Sequence, residues 1–361
     1  MKKIKVLHFI HSLISGGAEK QLGLLCDGID QSKYNVKVYC VKGEPNHFKG
    51  SGVNVHIAPS KNPFTLLYYS DMLKIVKEFK PDVAHVWLPA SVSIPALVVC
   101  RLNGVKTIFS YRNKMYFHRA LSYPEYFVAL LCANKIISNH DIIDSHPLFK
   151  YLYNLKGGEV INNAVVIPVK TIRQEVSNNP AERLIFVGRL TAQKNPIRLV
   201  KALSKIDKLF AWHLDMYGEG EERGEIESLI CQFGLQDKIH LHGFTDSIYL
   251  KLSRASALIF PSIKEGMPNV LVEAMMIGLP IIASDIPGNR SVTNNISDDT
   301  VVWVDPESED DITEKLTHII TGQYDFDQRV RSGRVIASVY TLENMVLRYE
   351  ACYSDLSGVI R

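Results

Sequence analysis

The chain has 361 residues, 46% of them hydrophobic and 22% charged, with a formal net charge of +3; this composition excludes a disordered chain, and the length predicts two domains. The six cysteines lie apart without a C-x-x-C pair, which excludes a zinc site of that kind and argues for reduced thiols in a cytoplasmic protein. No apolar run is long enough to span a bilayer, and two histidines interrupt the N-terminal apolar stretch, which is therefore predicted to be a buried strand rather than a signal peptide.

Short apolar runs alternate with helical patterns along the chain, which predicts parallel sheets covered on both faces. The strands predicted in the first half are Lys5–Ile10, Asn35–Val41, Val53–Ile57, Val83–Trp87, Thr107–Ser110, Lys135–Ser138 and Glu159–Ile161. Those predicted in the second half are Arg183–Leu190, Trp212–Tyr217, Lys238–Leu241, Ala257–Phe260, Pro280–Ala283 and Val301–Val304. The polar stretch 169–182 lacks periodicity and is predicted to be a linker between domains at 1–168 and 183–341.

The most informative stretch is FPSIKEGMPNVLVEAMMIGLPIIASDIPG, in which Glu265 and Glu273 lie eight residues apart. Its order is an apolar strand, a Gly-Met-Pro-Asn loop, a helix and a second apolar strand. Pro268 suits the first turn of a helix, because the N–H that it lacks would have no partner there, so the helix is predicted to begin near Asn269. The free N–H groups and the positive dipole end would then form an anion site beside the two carboxylates.

The pattern EGMPNVLVEAMMIGLPIIAS closely resembles the E-x7-E motif of the retaining family 4 glycosyltransferases, which have the GT-B fold. The resemblance covers nearly the whole chain and is densest from Arg183 to Gly288. It implies the fold class α/β, GT-B, with two Rossmann-like domains whose parallel sheets face an interdomain cleft. It also implies that the closing helix, at about 342–361, joins the first, acceptor-binding domain, while the second domain binds the nucleotide sugar.

In the second domain, VGRLTAQKNP places Arg189 and Lys194 after a buried strand. Such a cation pair can clamp a pyrophosphate or neutralise the charge on a leaving nucleoside diphosphate. By resemblance, Glu265 contacts hydroxyls of the donor sugar and Glu273 those of the ribose. Glu265, Arg189 and Lys194 are therefore predicted to be catalytic, with no metal ligand and no cofactor beside the nucleotide sugar.

Several glycine-containing loops complete the predicted donor site. ISGGAEKQ resembles the family loop that lies against the donor diphosphate and the acceptor, and MYGEGEE and HGFTD resemble loops that border the base. DIPGNR resembles the glycine loop near the phosphates, with Asn289 standing where the family has a glycine. The predicted donor-binding residues are Gly16, Gly17, Gly218, Gly243, Phe244, Gly266, Met267, Pro268, Asn269, Val270, Glu273 and Gly288.

The largest departure from the family pattern follows the strand Thr107–Ser110, where many relatives have a histidine and this chain has SYRNKMYFHR. Arg112, Asn113 and His118 are the candidate replacements on the acceptor side. The same stretch mixes basic and aromatic residues and precedes an apolar helix, a pattern typical of contact with anionic lipid. An acceptor-side loop of a soluble enzyme is the alternative interpretation.

The charge is unevenly distributed. Residues 1–170 carry 21 Lys and Arg against 11 Asp and Glu, a balance of +10, and the remainder carries 20 against 27, a balance of −7, which together give the +3 of the chain. A basic first half favours an anionic partner, either membrane or nucleic acid. No nucleic-acid recognition motif accompanies the charge, so the anionic inner membrane is the predicted partner.

These patterns predict a cytoplasmic, metal-independent, retaining hexosyltransferase, peripheral to the inner membrane. It would move a hexose-type sugar from a UDP-sugar, or a GDP-sugar, to a hydroxyl of a saccharide, preferably a lipid-linked intermediate of a bacterial polysaccharide. Two alternatives stay open: a GT-B-fold nucleotide sugar epimerase, and a non-catalytic nucleotide-sugar-binding scaffold. Two glutamates also form the carboxylate pair of glycosidases, and sequence spacing does not give the separation of their carboxyl groups.

Overall fold

The computed structural model describes residues 2–13, 17–43, 52–62, 65–87, 91–112, 131–139, 147–173, 182–293 and 299–358. The chain forms two compact units, one made of Met1–Ala164 with Thr341–Arg361 and the other of Val165–Tyr340. Gly16, Asn113, His118 and most of the predicted linker, at 174–181, lie outside the described residues.

The first unit is built around a parallel sheet. Its strands are β1 Ile4–Ser12, β2 Tyr34–Lys42, β3 Asn54–Ile57, β4 Val83–Trp87, β5 Lys106–Tyr111, β6 Lys135–Ser138 and β7 Glu159–Val160. The helices that connect them within the described residues are α1 Gly17–Gly28, α2 Leu66–Phe79, α3 Ser93–Leu102 and α4 Pro147–Leu155.

The second unit repeats this plan. Its strands are β8 Arg183–Val187, β9 His213–Tyr217, β10 Ile239–Gly243, β11 Ala257–Phe260, β12 Ile281–Ser284 and β13 Val302–Val304. Its helices are α5 Pro196–Ser204, α6 Arg223–Gln232, α7 Ile248–Arg254, α8 Asn269–Ile277, α9 Pro287–Arg290, α10 Glu309–Ile320 and α11 Asp327–Ala337. Every predicted strand is present; β8 ends earlier than predicted, because the chain leaves the sheet at Gly188.

Both sheets are doubly wound. The strand orders are β3-β2-β1-β4-β5-β6-β7 and β10-β9-β8-β11-β12-β13, and the strands of each sheet pair in parallel. The order reverses between β1 and β4 in the first sheet and between β8 and β11 in the second. Ligands of doubly wound sheets bind at the carboxyl ends of the strands at this reversal, so the topology gives each unit one preferred site.

The last helix, α12 Leu342–Ser357, packs into the first unit. Thr341 caps it, since its hydroxyl accepts a hydrogen bond from the N–H of Asn344 at 3.2 Å. A side chain at Gly28, at the end of α1, would collide with Val346. The residues of α12 that join the apolar core around β1 and α1 are Met345, Val346, Tyr349, Cys352 and Tyr353.

Two histidines lie fully buried in the middle of the first sheet, His8 on β1 and His85 on β4. Trp87 Nε1 donates to His8 Nδ1 at 2.9 Å, and the ring nitrogens of His85 lie 2.8 Å from Tyr353 Oη and 2.6 Å from Ser110 Oγ. Burial lowers the pKa of His8 from 6.5 to about 3. Burial, with His8 nearby, also lowers the pKa of His85 well below its usual value, so both rings are neutral at pH 7.

No helix among the described residues combines the length and the apolar composition that crossing a membrane requires.

Candidate functional site

The loops after β8 and β11 lie at the point where the strand order of the second sheet reverses. The loop after β8 covers residues 188–195 and the loop after β11 covers 261–268. The helices that follow two such strands leave on opposite faces of a doubly wound sheet, which opens a crevice between the loops. These two loops carry all three predicted catalytic residues, Arg189, Lys194 and Glu265.

Lys194 and Glu265 meet at this crevice as an ion pair. Lys194 Nζ donates to Glu265 Oε1 at 2.5 Å, although 71 residues separate the two in sequence. The side chains are only 15% and 9% exposed, respectively, so water screens their attraction less than at the surface. The ammonium also lies 4.8 Å from the centroid of the Phe260 ring, which adds a cation–π contact. The pair is therefore held in a defined geometry before any ligand binds.

The residues on either side of Lys194 fasten its loop to the loop of Glu265. Gln193 Nε2 donates to the carbonyl oxygen of Lys264 at 2.8 Å, and the carbonyl of Gln193 accepts from the N–H of Ile263 at 2.9 Å. Asn195 is in the left-handed region, with φ of 60°, and its buried amide donates to the carbonyl oxygens of Pro261 and Pro306 at 3.2 and 2.9 Å. These bonds fix the register in which Lys194 faces Glu265.

Arg189 differs from Lys194 in its surroundings. Its side chain is exposed and makes no hydrogen bond or ion pair with another described residue. An exposed guanidinium on the loop that also carries Lys194 keeps all of its donors available to an anion, and the fork geometry of arginine matches a phosphate.

Helix α8 begins at Asn269, as predicted, with Pro268 as its N-cap. Its first turn carries no acidic side chain, so the positive end of the helix dipole is not neutralised locally. Gly266 and Met267 are partly buried in the approach to the helix. The loop and the first turn of α8 therefore present backbone N–H groups within the same segment that carries Glu265.

Glu273 lies one turn inside α8. It is 8% exposed, and Tyr249 on α7 donates from its hydroxyl to Glu273 Oε1 at 3.3 Å. A carboxyl group this buried requires hydrogen-bond partners, and Tyr249 supplies one of them. Val270 occupies the turn before it and packs against the apolar cluster of this unit.

Gly288 and Asn289 lie in the short helix α9, directly against the loop of Glu265. A Cβ atom at Gly288 would overlap the carbonyl oxygen of Glu265. Asn289 is fully buried and donates from Nδ2 to the carbonyl oxygen of Ser284 at 2.8 Å, so its side chain points into the fold. Its amide nitrogen therefore ties α9 to Ser284, the last residue of β12.

We expect Gly288→Ala to lower turnover by at least tenfold. The added methyl group must displace the backbone of Glu265, and a misplacement of about 1 Å near a reacting centre costs up to about 10²-fold in rate. Overpacking of this kind also destabilises by about 1–3 kcal/mol, which denaturant unfolding measures. Gly224→Ala on α6 is the matched control, because a Cβ there meets no atom within 4 Å and turnover should not change. Equal turnover of the two variants would contradict the expectation.

Gly218 follows β9, Gly243 is the last residue of β10, and Phe244 follows it. The N–H of Gly218 donates to the carbonyl of Gly243 at 2.9 Å, and a Cβ at Gly218, whose φ is 140°, would overlap the carbonyl oxygen of Gly188. Phe244 is 79% exposed. An exposed aromatic ring on a closely packed glycine turn has a free face on which a planar ligand can stack.

The predicted residues of the first unit are more scattered. Gly17 begins α1, and a Cβ there would meet nothing within 4 Å. Arg112 follows β5 and is only 6% exposed; its guanidinium donates to Asn163 Oδ1 at 2.6 Å and to Tyr349 Oη at 2.7 Å, and it lies 4.3 Å from the Trp87 ring. The Arg112 guanidinium is thus engaged in contacts inside the first unit.

Among the described residues, no group of three or more His, Cys, Asp or Glu side chains is arranged to hold a metal ion.

Two family models match the sequence. The model described as "Glycosyl transferases group 1" matches residues 169–334, and the model described as "Glycosyltransferase Family 4" matches residues 15–143. The chain is a family 4 glycosyltransferase. The resemblance drawn from the E-x7-E segment is thereby confirmed, and the first match contains the whole segment from Arg189 to Gly288.

Characterised and uncharacterised glycosyltransferases resemble this family 4 protein along much of its length. An uncharacterised glycosyltransferase of Methanocaldococcus jannaschii is 29% identical over 63% of this chain and 62% of the relative. The amylovoran biosynthesis glycosyltransferase AmsD of Erwinia amylovora is 25% identical over 86% and 88%. The UDP-Gal:alpha-D-GlcNAc-diphosphoundecaprenol alpha-1,3-galactosyltransferase of Escherichia coli is 24% identical over 81% and 82%. All three are named as glycosyltransferases of one kind or another, and the name of AmsD also specifies the biosynthesis of a polysaccharide, amylovoran.

Solved structures agree on the fold of this glycosyltransferase. A glycosyltransferase from Rickettsia africae ESF-5 superimposes with a TM-score of 0.81 over 100% of both chains at 16% identity. The Anabaena protein HepE in complex with UDP and glucose gives 0.76 over 98% of this chain and 100% of HepE, also at 16% identity. The GT-B fold class predicted from the sequence is therefore confirmed.

Sequence reasoning missed Gln193, Asn195 and Tyr249. The partners of these side chains lie between 24 and 111 residues away, so no local motif contains both ends of a contact. The only signal was the position of Gln193 and Asn195 on either side of a predicted catalytic lysine.

Proposed function

We propose that this glycosyltransferase moves a hexose-type sugar from a nucleotide diphosphate sugar, preferably a UDP-sugar, to a hydroxyl of a saccharide acceptor with retention of anomeric configuration. The observation that carries the proposal is the Lys194–Glu265 pair, held at 2.5 Å at the strand-order reversal and next to the start of α8. A cation, a carboxylate and a helix N-terminus in one crevice fit a ligand that joins sugar hydroxyls to a diphosphate.

In this proposal the second unit binds the donor. The diphosphate lies at the start of α8, where Arg189 holds it in a fork and Lys194 supplies a point charge. An ammonium has three donors, so Lys194 can keep its hydrogen bond to Glu265 and donate to a phosphate oxygen at the same time. Glu265 then accepts from hydroxyls of the sugar, and the buried Glu273 accepts from hydroxyls of the ribose.

The proposed reaction occurs on one face of the sugar. The bond from the anomeric carbon to the diphosphate oxygen breaks, and its electron pair leaves with the nucleoside diphosphate. The acceptor oxygen forms the new bond on the same face, and its proton passes to the departing phosphate. Arg189, Lys194 and the helix end stabilise the negative charge that grows on the leaving group, which is why the proposal requires no metal ion.

We propose a lipid-linked saccharide as the acceptor and the cytoplasmic face of the inner membrane as the place of transfer. Two features support this: the balance of +10 in residues 1–170, and the name of the Escherichia coli relative, which specifies an undecaprenol-linked acceptor. The protein should sediment with vesicles that contain anionic lipid. The fraction that sediments should be smaller at high salt, which screens the charges. Equal recovery in the supernatant with anionic and neutral vesicles would refute the membrane contact.

A thermal-shift screen tests the donor class first. UDP, GDP, ADP, CMP and their common sugars are each added with magnesium and with a chelator. A ligand at 100 times its Kd stabilises the native state by about 2.7 kcal/mol, so one nucleoside diphosphate should raise the melting temperature clearly. A shift that the chelator leaves unchanged supports metal-independent binding of that donor. No shift with any nucleotide would refute the proposed function.

A further inference from the structure

Tyr249 touches the proposed ribose-binding carboxylate from a different helix. It is the second residue of α7, and its hydroxyl donates to Glu273 Oε1 at 3.3 Å. The ring of Tyr249 is partly buried and packs against the apolar cluster of the second unit. The phenol oxygen is thus presented to Glu273 by a ring whose own position is fixed by packing.

A glutamate on a helix has three side-chain torsions, and its carboxylate must be held to recognise a ligand. A carboxylate has two oxygens with about four lone-pair sites in all, and the phenol of Tyr249 donates to one of these oxygens, Oε1. A hydrogen bond to a charged group is also stronger than one between neutral groups. The phenol of Tyr249 therefore favours the orientation in which Oε1 of the buried Glu273 points towards α7.

We infer that Tyr249 is a positioning residue for Glu273, and that it thereby sets the selectivity of the donor site for nucleotides with ribose hydroxyls. The inference rests on the proposed function, since it assumes that Glu273 binds the ribose. In this inference Tyr249 acts through Glu273, at the ribose end of the donor and not at the reacting atoms. Its contribution is expected in nucleotide affinity and not in the chemical step.

Tyr249→Phe isolates this contribution, because the ring that packs is kept and only the phenol oxygen is removed. The matched control is Tyr340→Phe, which also removes one oxygen from a buried ring of this unit, where the hydroxyl donates to the carbonyl of Val292 at 2.8 Å. Calorimetry measures the Kd of each protein for UDP and for 2′,3′-dideoxy-UDP, or for the guanine counterparts if the screen selects GDP.

The wild-type protein should bind UDP more tightly than the dideoxy nucleotide. In Tyr249→Phe the affinity for UDP should fall by about five- to tenfold and that for the dideoxy form by less than twofold. The ratio of the Kd for dideoxy-UDP to the Kd for UDP should therefore become smaller. The donor KM should rise by the same factor with kcat unchanged. In a Glu273→Gln background the tyrosine substitution should change neither ratio nor KM, because the two residues act as one unit.

An unchanged ratio in Tyr249→Phe, or an equal fall for both nucleotides, would overturn the inference and leave the proposed function intact. A ratio lowered equally in Tyr340→Phe would also overturn it, since the effect would then follow from any lost hydroxyl in this core. If the wild-type protein binds no nucleoside diphosphate, the proposed function fails, and the inference fails with it.

Discussion

Replacing Lys194 with alanine is expected to lower turnover by about 10²–10³-fold, the usual cost of removing one group that stabilises charge in a transition state. Because Lys194 is proposed to act mainly on the leaving group, kcat and kcat/KM should fall together. The substitution also leaves Glu265 without its partner, which costs about 1–3 kcal/mol of folding stability. Turnover should therefore suffer far more than folding, as initial rates and denaturant unfolding of one preparation will measure.

Lys205→Ala provides the comparison. Lys205 forms ion pairs with Glu309 and Asp310 at 3.1 and 2.9 Å on the surface of the same unit, away from the loops of the site. Its loss should leave turnover at the wild-type level. A folded Lys194→Ala protein with unchanged turnover would rule out the catalytic role, whatever the effect on stability.

Acidification is expected to destabilise the first unit steeply between pH 6.5 and pH 5, because His8 and His85 are held neutral. Their pKa values are lowered in the folded state, to about 3 for His8, whereas an unfolded histidine titrates near 6.5. The unfolded state thus binds more protons, and stability that is complete above pH 6.5 is lost as the pH falls. Uptake of two protons on unfolding lowers the free energy of unfolding by about 2.7 kcal/mol per pH unit. At pH 5 the loss relative to neutral pH is about 4 kcal/mol.

Trp87 offers a probe for this loss, since the other two tryptophans, Trp212 and Trp303, lie in the second unit. Both of these are replaced by phenylalanine, and urea unfolding is followed by Trp87 fluorescence at several pH values. This gives the slope of the free energy of unfolding against pH for the first unit alone. His8→Gln and His85→Gln should each remove about half of that slope, even if they lower stability at pH 7. A slope that neither variant changes would show that other groups take up the protons.

The strands and the strand–loop–helix–strand layout of the E-x7-E segment could be predicted from sequence because both signals are local. A strand buried on both faces, such as β4 or β11, is a short apolar run between polar turns. The start of α8 is marked by Pro268, and the E-x7-E spacing is contained within one turn-and-helix segment. These features need no knowledge of what packs against them.

The contacts that complete the site depend on distant parts of the chain and could not be predicted. Lys194 meets Glu265 across 71 residues, and Arg112 donates to Tyr349 across 237. The sequence placed Arg112 in a basic, aromatic stretch, and nothing local indicated that its guanidinium would be buried on Trp87. Composition reports which side chains are present, while burial depends on the partner that the fold supplies.

The position of α12 has a consequence for the order in which a growing chain can fold. Residues at the far end of the sequence, such as Tyr349 and Tyr353, fill the core of the unit that is synthesised first. The first unit therefore stays unfinished on the ribosome, with the cavity for α12 open, while the whole second unit emerges and folds. Of the two units, the one that leaves the ribosome first is the last to close its core, so removal of α12 should prevent the first unit from folding.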